Sequence, residues 1–76
     1  MQVIEIEWLD SQGFSEWQSK EVMEDWSDSL VCHSVGYLLR QDENRVVIIQ
    51  SESFTSYGEG LMIPKISIVK MNVLRE

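Results

Sequence analysis

The sequence predicts a mainly β protein of the α+β class: a small five-stranded antiparallel barrel with one short helix after the first strand. The chain of 76 residues has the length of one small domain, so we expect a single domain over residues 1–76. Apolar residues alternate or form short blocks, and closely spaced turn residues separate them, which is typical of small antiparallel sheets. Closure into a barrel removes exposed strand edges, and this favours a barrel over an open sheet.

The first predicted strand covers residues 3–9, where apolar and acidic side chains alternate: Ile4, Ile6 and Trp8 against Glu5 and Glu7. Turn residues 10–13 follow. A short helix comes next, with Ser19 as its N-cap and an acidic first turn. Val22, Met23 and Trp26 form its apolar stripe, so we expect the helix to pack on the sheet, because a helix this short is not stable alone.

A long strand is predicted from Leu30 to Arg40. Gly36 lies inside it and marks a bend, a bulge or a close approach of two backbones. After a polar turn at 41–44, the segment 45–51 carries apolar residues on both faces, which indicates burial on both sides or at a subunit contact.

The last third of the chain predicts a loop and two strands. Residues 52–60 are expected to form a nine-residue loop because they contain Ser, Thr and two Gly. A short strand at 61–63 ends at Pro64, which cannot donate a hydrogen bond to a neighbouring strand. The final strand is predicted over 66–74. A domain of this size buries only about 60% of its unfolded surface, so we expect association into a ring or dimer.

Negative charge is concentrated in the first third of the chain. Residues 1–28 hold eight acids and one base, a net charge of -7, whereas the five acids and five bases of residues 29–76 cancel. A field of this sign repels phosphates, so DNA is not an expected partner. The acidic segment is interpreted either as a face that docks on a basic host protein or mimics DNA, or as a solvated surface that promotes solubility.

Composition indicates in which cellular compartment the protein is expected. One Cys cannot form an internal disulfide, and no apolar run approaches the roughly 20 residues that a membrane helix needs. The first five residues lack the basic start and apolar block of a secretory signal. We therefore expect a protein of a reducing cytoplasm with no membrane partner.

Five short stretches, spread over nearly the whole chain, resemble a group of small uncharacterised proteins of tailed phages and prophages. They are Glu7-Trp8-Leu9-Asp10-Ser11, Trp17-Gln18-Ser19, Ser34-Val35-Gly36-Tyr37-Leu38, Ile63-Pro64-Lys65 and the closing Ile-rich strand. The second half is also similar to an SH3-like barrel of the Sm-like type, with a Gly in a bent strand and an Ile-Pro step before the last strand. The resemblance implies an Sm-like fold, a phage source, a host-cytoplasm location and a tendency to form homo-oligomers.

Sm-like proteins often bind RNA, but their signatures are matched poorly here. The first hairpin offers Asp42-Glu43-Asn44, which fits their Asp-x-Asn pattern loosely, and the final turn at 64–67 lacks an Arg-Gly pair. RNA is therefore a disfavoured partner.

Catalytic and metal chemistry find little support in the residue pattern. Cys32 and His33 are adjacent on a strand and point to opposite faces, so they cannot share one metal or form a nucleophile–base pair within a subunit. Glu5 and Glu7 share a strand face about 6.6 Å apart, opposite an apolar stripe, which favours solvated surface over acid–base work. We expect no enzyme activity, no metal and no cofactor.

Two sets of residues are candidates for binding. The candidates for a small anionic ligand are basic side chains and one loop aromatic: Arg40, Arg45, Tyr57 and Lys65. The candidates for a protein partner are acids and aromatics near the predicted helix: Phe14, Trp17, Glu21, Glu24 and Asp25. Loop aromatics can anchor a partner or stack on a base.

These observations predict a phage-encoded, non-enzymatic, oligomeric binding protein that sequesters a host factor, as in host takeover or anti-defence. One alternative is a sponge that holds a nucleotide immune signal between subunits. Another is a structural or assembly accessory protein of the virion, and an RNA-binding ring is a further one.

Overall fold

The computed structural model describes residues 1–11, 13, 16–26 and 30–76. The strands of its sheet are β1 (Val3–Asp10), β2 (Leu30–Gln41), β3 (Arg45–Glu52), β4 (Tyr57–Pro64) and β5 (Ile68–Arg75). One short helix, α1 (Lys20–Glu24), follows β1, and a 3-10 turn at Lys65–Ser67 joins β4 to β5. All pairings are antiparallel, in the order β4-β3-β2-β1-β5. The mainly β class, the five antiparallel strands and the place of the helix are therefore confirmed.

The sheet is not closed into the predicted barrel. β4 and β5 stand at its two edges, and in the described part of the chain neither pairs with the other. An open sheet leaves one free row of backbone N–H and C=O groups on each edge strand.

The apolar core lies on one face of the sheet. It consists of Ile4, Ile6, Val46, Ile48 and Ile63, each at most 1% exposed. Trp8, as predicted, packs against this cluster, together with Leu38 and Ile68. The alternation in β1 therefore assigned the buried face correctly.

The β3–β4 hairpin is longer than its composition predicts. Pairing continues out to Glu52 and Tyr57, so the predicted loop at 52–60 is wrong and the turn covers only 53–56. Gly58 and Gly60 lie in the extended strand instead. Glycine is tolerated there because β4 is an edge strand, where one side of the backbone and most side chains face solvent.

The expected packing of the helix on the sheet is also wrong. Ser19 caps α1 as predicted, since its Oγ accepts the N–H of Val22 at 3.2 Å. However, α1 buries no residue, and Val22 and Trp26 are exposed. The buried cluster is formed by side chains of β1, β3 and β4 and includes no residue of α1. No helix in the described ranges is long and apolar enough to cross a membrane.

Gly36 marks the point where the sheet divides. A Cβ at this position would lie 2.9 Å from the backbone oxygen of Ile49, so β2 and β3 approach here more closely than any side chain allows. The β2–β3 pairing begins at Tyr37 and Ile49, whereas β1 pairs with β2 along its other half. The predicted close approach at this Gly is confirmed.

The molecule is elongated. Its principal extents are 52 × 24 × 20 Å and its radius of gyration is 16.1 Å. A compact domain of this length has a radius of gyration of about 11 Å. The elongation explains why so many apolar side chains remain exposed.

We predict that Gly36→Ala lowers the free energy of unfolding by about 1–3 kcal/mol, because the added methyl group meets a backbone carbonyl that moves only with the strand. Urea unfolding followed by circular dichroism measures the change. Gly60→Ala is the matched control, since its Cβ would find its nearest neighbour at an ordinary 3.6 Å. Equal stability of the two variants would contradict the proposed close contact.

Candidate binding surfaces

The hydrogen-bond register shows which backbone groups of β4 are free. In an antiparallel pair, opposite residues alternate between those that exchange hydrogen bonds and those that do not. Lys65 N donates to Asn44 O at 2.8 Å, so these two residues form a hydrogen-bonded pair. Counting in steps of two, the pairs Val46–Ile63 and Ile48–Leu61 are hydrogen bonded as well. The residues between them on β4, Gly60 and Met62, therefore direct their backbone groups away from β3, toward the open edge.

The same reasoning applies to β5. Leu38 N donates to Gln2 O at 2.9 Å, so the even-numbered residues of β1 bond to β2 and its odd-numbered residues bond to β5. Glu7 and Glu5 are opposite Lys70 and Asn72, which leaves the backbone groups of Met71 directed outward.

Pro64, which has no N–H, fits at the end of β4 because its nitrogen faces the open edge.

Apolar side chains follow both edges on the core side of the sheet. Leu61 is opposite Ile48 and Met71 is opposite Ile6, so both belong to the face that carries the core. Each is 38% exposed, although its cross-strand neighbour is buried. The core is therefore incompletely covered along β4 and along β5.

Three of the four predicted ligand-binding residues lie at one corner of the sheet. Arg40 Nη2 and Arg45 Nε each lie 3.8 Å from Oδ2 of Asp42, in the β2–β3 turn. Lys65 is fixed to the same turn by its backbone bond to Asn44. The charge of this corner is reduced because Asp42 lies between the two guanidinium groups.

The turn itself organises the Asp42 carboxylate. Asp42 Oδ1 accepts the backbone N–H groups of Asn44 at 2.8 Å and Arg45 at 3.1 Å. The bond from Asn44, then that from Arg45, lowers the pKa of the Asp42 carboxyl below its usual range, and the positive charges of Arg45 and Arg40 add to this effect.

Tyr57, the fourth predicted ligand residue, does not join the basic corner. It pairs with Glu52 at the opposite end of the β3–β4 hairpin from Arg45 and Pro64. Along β3 this separation is about 23 Å at the usual rise per residue. One subunit therefore cannot place all four predicted residues around one ligand.

The turn at 53–56 presents an aromatic residue that the predicted sites do not include. Ser53 and Ser56 close the turn through backbone and hydroxyl hydrogen bonds of 2.8–3.2 Å. Phe54, between them, is fully exposed. Its position in a serine-rich stretch was the available signal, but composition does not reveal that the turn is closed so tightly.

The predicted partner-binding segment forms an exposed acidic surface. Glu21 and Glu24 lie on α1 and Asp25 is its C-cap, all exposed. Trp17, just before the helix, is 99% exposed. Phe14 lies outside the described residues.

The other predicted residues lie as their spacing indicates. Cys32 is opposite Trp8 on the core side, and His33 is opposite Glu7 on the outer face, so the two are on opposite faces. His33 Nε2 lies 3.2 Å from Glu7 Oε1. In the described segments no three His, Cys, Asp or Glu side chains form a metal-binding group.

Arg75 and Tyr37 form a contact that sequence reading missed. The guanidinium carbon of Arg75 lies 5.9 Å from the ring centroid of Tyr37, within the range of a cation–π interaction. The two residues are 38 positions apart in the chain, so only the pairing of β1 with both β2 and β5 brings them together.

Comparison with family models, curated proteins and solved structures finds no match for this chain.

We predict that the Asp42 carboxyl titrates below the usual range for Asp, as measured by NMR of its side-chain carbon. Because the pKa is lower in the folded protein than in the unfolded chain, the stabilisation is present above the unfolded pKa. It is lost as the pH falls through the folded value. Asp42→Asn, which retains an acceptor oxygen but no charge, should remove this acid dependence. An ordinary titration midpoint for Asp42 would contradict the prediction.

Proposed function

We propose that this protein is a phage-encoded, non-enzymatic binding protein that assembles into a homo-oligomer and sequesters a basic factor in the host cytoplasm. The observation that carries the proposal is the pair of free edge strands, β4 and β5, each lined by half-exposed side chains of the core face. The phage source rests on the resemblance of the five stretches named above.

Association through the two edges would pair the free backbone groups and cover the exposed apolar side chains at the same time. β4 of one copy against β5 of the next would satisfy the outward N–H and C=O groups of both strands. It would also cover Leu61 and Met71, where burial is worth about 25 cal/mol per Å² of apolar surface. Because the two edges differ, the contact is head-to-tail, and such contacts close into rings when the rotation permits.

The acidic surface around α1 supports the choice of a basic partner. The exposed acids Glu21, Glu24 and Asp25 lie beside the exposed Trp17, which combines charge with an aromatic anchor. A ring would display one such surface per copy, so a partner with several basic patches would be held with increased avidity. This combination is the physical basis of sequestration.

We predict that the protein is a closed oligomer at micromolar concentration and that Met62→Pro converts it to a monomer. Met62 is 60% exposed and its N–H points away from β3, so proline removes an edge donor without disturbing the core. Native mass spectrometry measures the assembly, and circular dichroism checks the fold.

The control is Met62→Thr, which shortens the side chain but keeps the N–H and should remain oligomeric. A wild-type monomer at micromolar concentration would contradict the proposed assembly. So would an unchanged oligomer in Met62→Pro.

We predict that neutralising the acidic surface weakens binding to a basic polymer about tenfold, as several exposed ion pairs of modest strength are lost together. The variant combines Glu21→Gln, Glu24→Gln and Asp25→Asn, and the probe is poly-L-lysine, measured by titration at increasing salt. The affinity of the wild type should fall as salt screens the charges.

A variant that combines Glu43→Gln, Glu52→Gln and Glu76→Gln makes the same change in net charge elsewhere on the surface. It should bind almost as well as the wild type. Equal losses in the two triple variants would show that net charge alone attracts the probe, and affinity that survives high salt would exclude the acidic surface as its source.

A further inference from the structure

The N-terminal half of β2 is a third free strand edge, inside the sheet rather than at its border. β2 pairs with β3 only from Tyr37 onward, whereas residues 30–36 pair with β1 alone in the described part of the chain. The close contact at Gly36 is where β3 diverges from β2. Beyond that point one side of β2 has no neighbouring strand.

The register identifies the unpaired groups on this edge. Leu38 N donates to Gln2 O, so Gly36, Ser34 and Cys32 are the residues that exchange backbone bonds with β1. Val31, His33 and Val35 therefore direct their backbone groups to the open side. Of these groups the Val35 carbonyl is already used, because Gln50 Nε2 donates to it at 2.7 Å.

The side chains along this edge offer no protection against pairing. Val31 and Val35 are 46% and 45% exposed, so the described residues leave about half of each of them open to solvent. Natural edge strands usually carry Lys, Pro or a bulge that blocks further pairing. Residues 30–36, Leu-Val-Cys-His-Ser-Val-Gly, contain no Lys, Arg, Asp, Glu or Pro, and their register with β1 has no bulge in this stretch.

The charged side chains beside this edge favour a basic binding partner. Glu5 is opposite Val35 and Glu7 is opposite His33, so both carboxylates lie on the face that Val31, His33 and Val35 share. Lys70, on the same face, lies on the far side of β1. A strand added to β2 would lie about 10 Å from β1, where long basic side chains reach the carboxylates.

We infer that an extended basic segment of a partner protein adds to β2 as a strand along residues 30–35. The outward groups of Val31 and His33 and the N–H of Val35 bind its backbone, and Glu5 and Glu7 attract its Lys or Arg side chains. This inference rests on the proposed function in taking the partner to be basic, and it assigns to that partner an extended backbone and a docking strand. The segment 30–36 of a second copy contains no Lys or Arg that Glu5 and Glu7 could attract, so the charges here favour a basic partner over self-pairing.

The experiment uses an acetylated peptide of about seven alternating Lys and Val residues, which spans the free edge, and its Glu–Val counterpart. Amide hydrogen exchange of the full chain, followed by NMR, is measured with and without each peptide. We expect the Lys–Val peptide to slow exchange of the Val31, His33 and Val35 amides about tenfold or more, because they become hydrogen bonded. The Glu–Val peptide should leave them unchanged.

Val31→Pro removes one outward donor and leaves the hydrogen bonds to β1 in place, since Val31 N–H does not point to β1. It should weaken binding of the Lys–Val peptide about tenfold, whereas Val31→Thr, which keeps the N–H and the β-branched shape, should bind as the wild type does. The exchange measurement on the wild type decides the question even if Val31→Pro fails to fold.

Several results would overturn the inference. One is binding of the Lys–Val peptide that protects none of the three amides, which would be attraction by charge alone. Another is the absence of binding at millimolar peptide. A third is protection of the three amides in the free protein together with a smaller oligomer in Val31→Pro, which would assign the edge to a second copy.

Failure of this inference and failure of the proposed assembly give different results. If the wild type is a monomer and the Lys–Val peptide protects the three amides, the docking strand is supported and the ring is contradicted. If Met62→Pro dissociates the oligomer but the peptide never protects the three amides, the ring is supported and the docking strand is contradicted.

Discussion

The close approach of β2 and β3 at Gly36 is the constraint on which the rest of the structure depends. Because Gly36 has no side chain, the backbone oxygen of Ile49 can lie only 2.9 Å from the position that a Cβ would occupy. The contact ends the β2–β3 pairing, and the β1–β2 arm and the β3–β4 hairpin extend separately from it. The third free edge of the sheet therefore begins at this glycine.

The small core explains the exposed edges. Only six apolar residues in the described ranges are fully buried, and they come from β1, β3 and β4. A chain of this length cannot enclose more apolar surface in a single open sheet. Leu61 and Met71 are consequently left half exposed beside unpaired backbone, and a protein with this surface gains stability by association with another chain.

In the proposed binding mode, charge and hydrogen bonding have different roles. The acids around α1 would attract a basic partner at long range without specifying its shape, because the helix is short and buries no residue. The unpaired backbone groups of β2 would orient an extended chain whatever its charge. Glu5 and Glu7 lie where the two effects overlap, next to an edge that holds no charged residue.

The sequence by itself determined the number of strands, the buried face of β1 and the helix start. Alternation at Ile4, Ile6 and Trp8 and the Ser19 cap are local patterns, which hydrophobicity and short-range hydrogen bonding decide. Tertiary structure alone decided the open sheet, the exposed Val22 and Trp26, the long β3–β4 hairpin and the gathering of Arg40, Arg45 and Lys65. These features depend on which strands meet and where two strands diverge. Such contacts join residues far apart in the chain, so no local pattern of side chains specifies them.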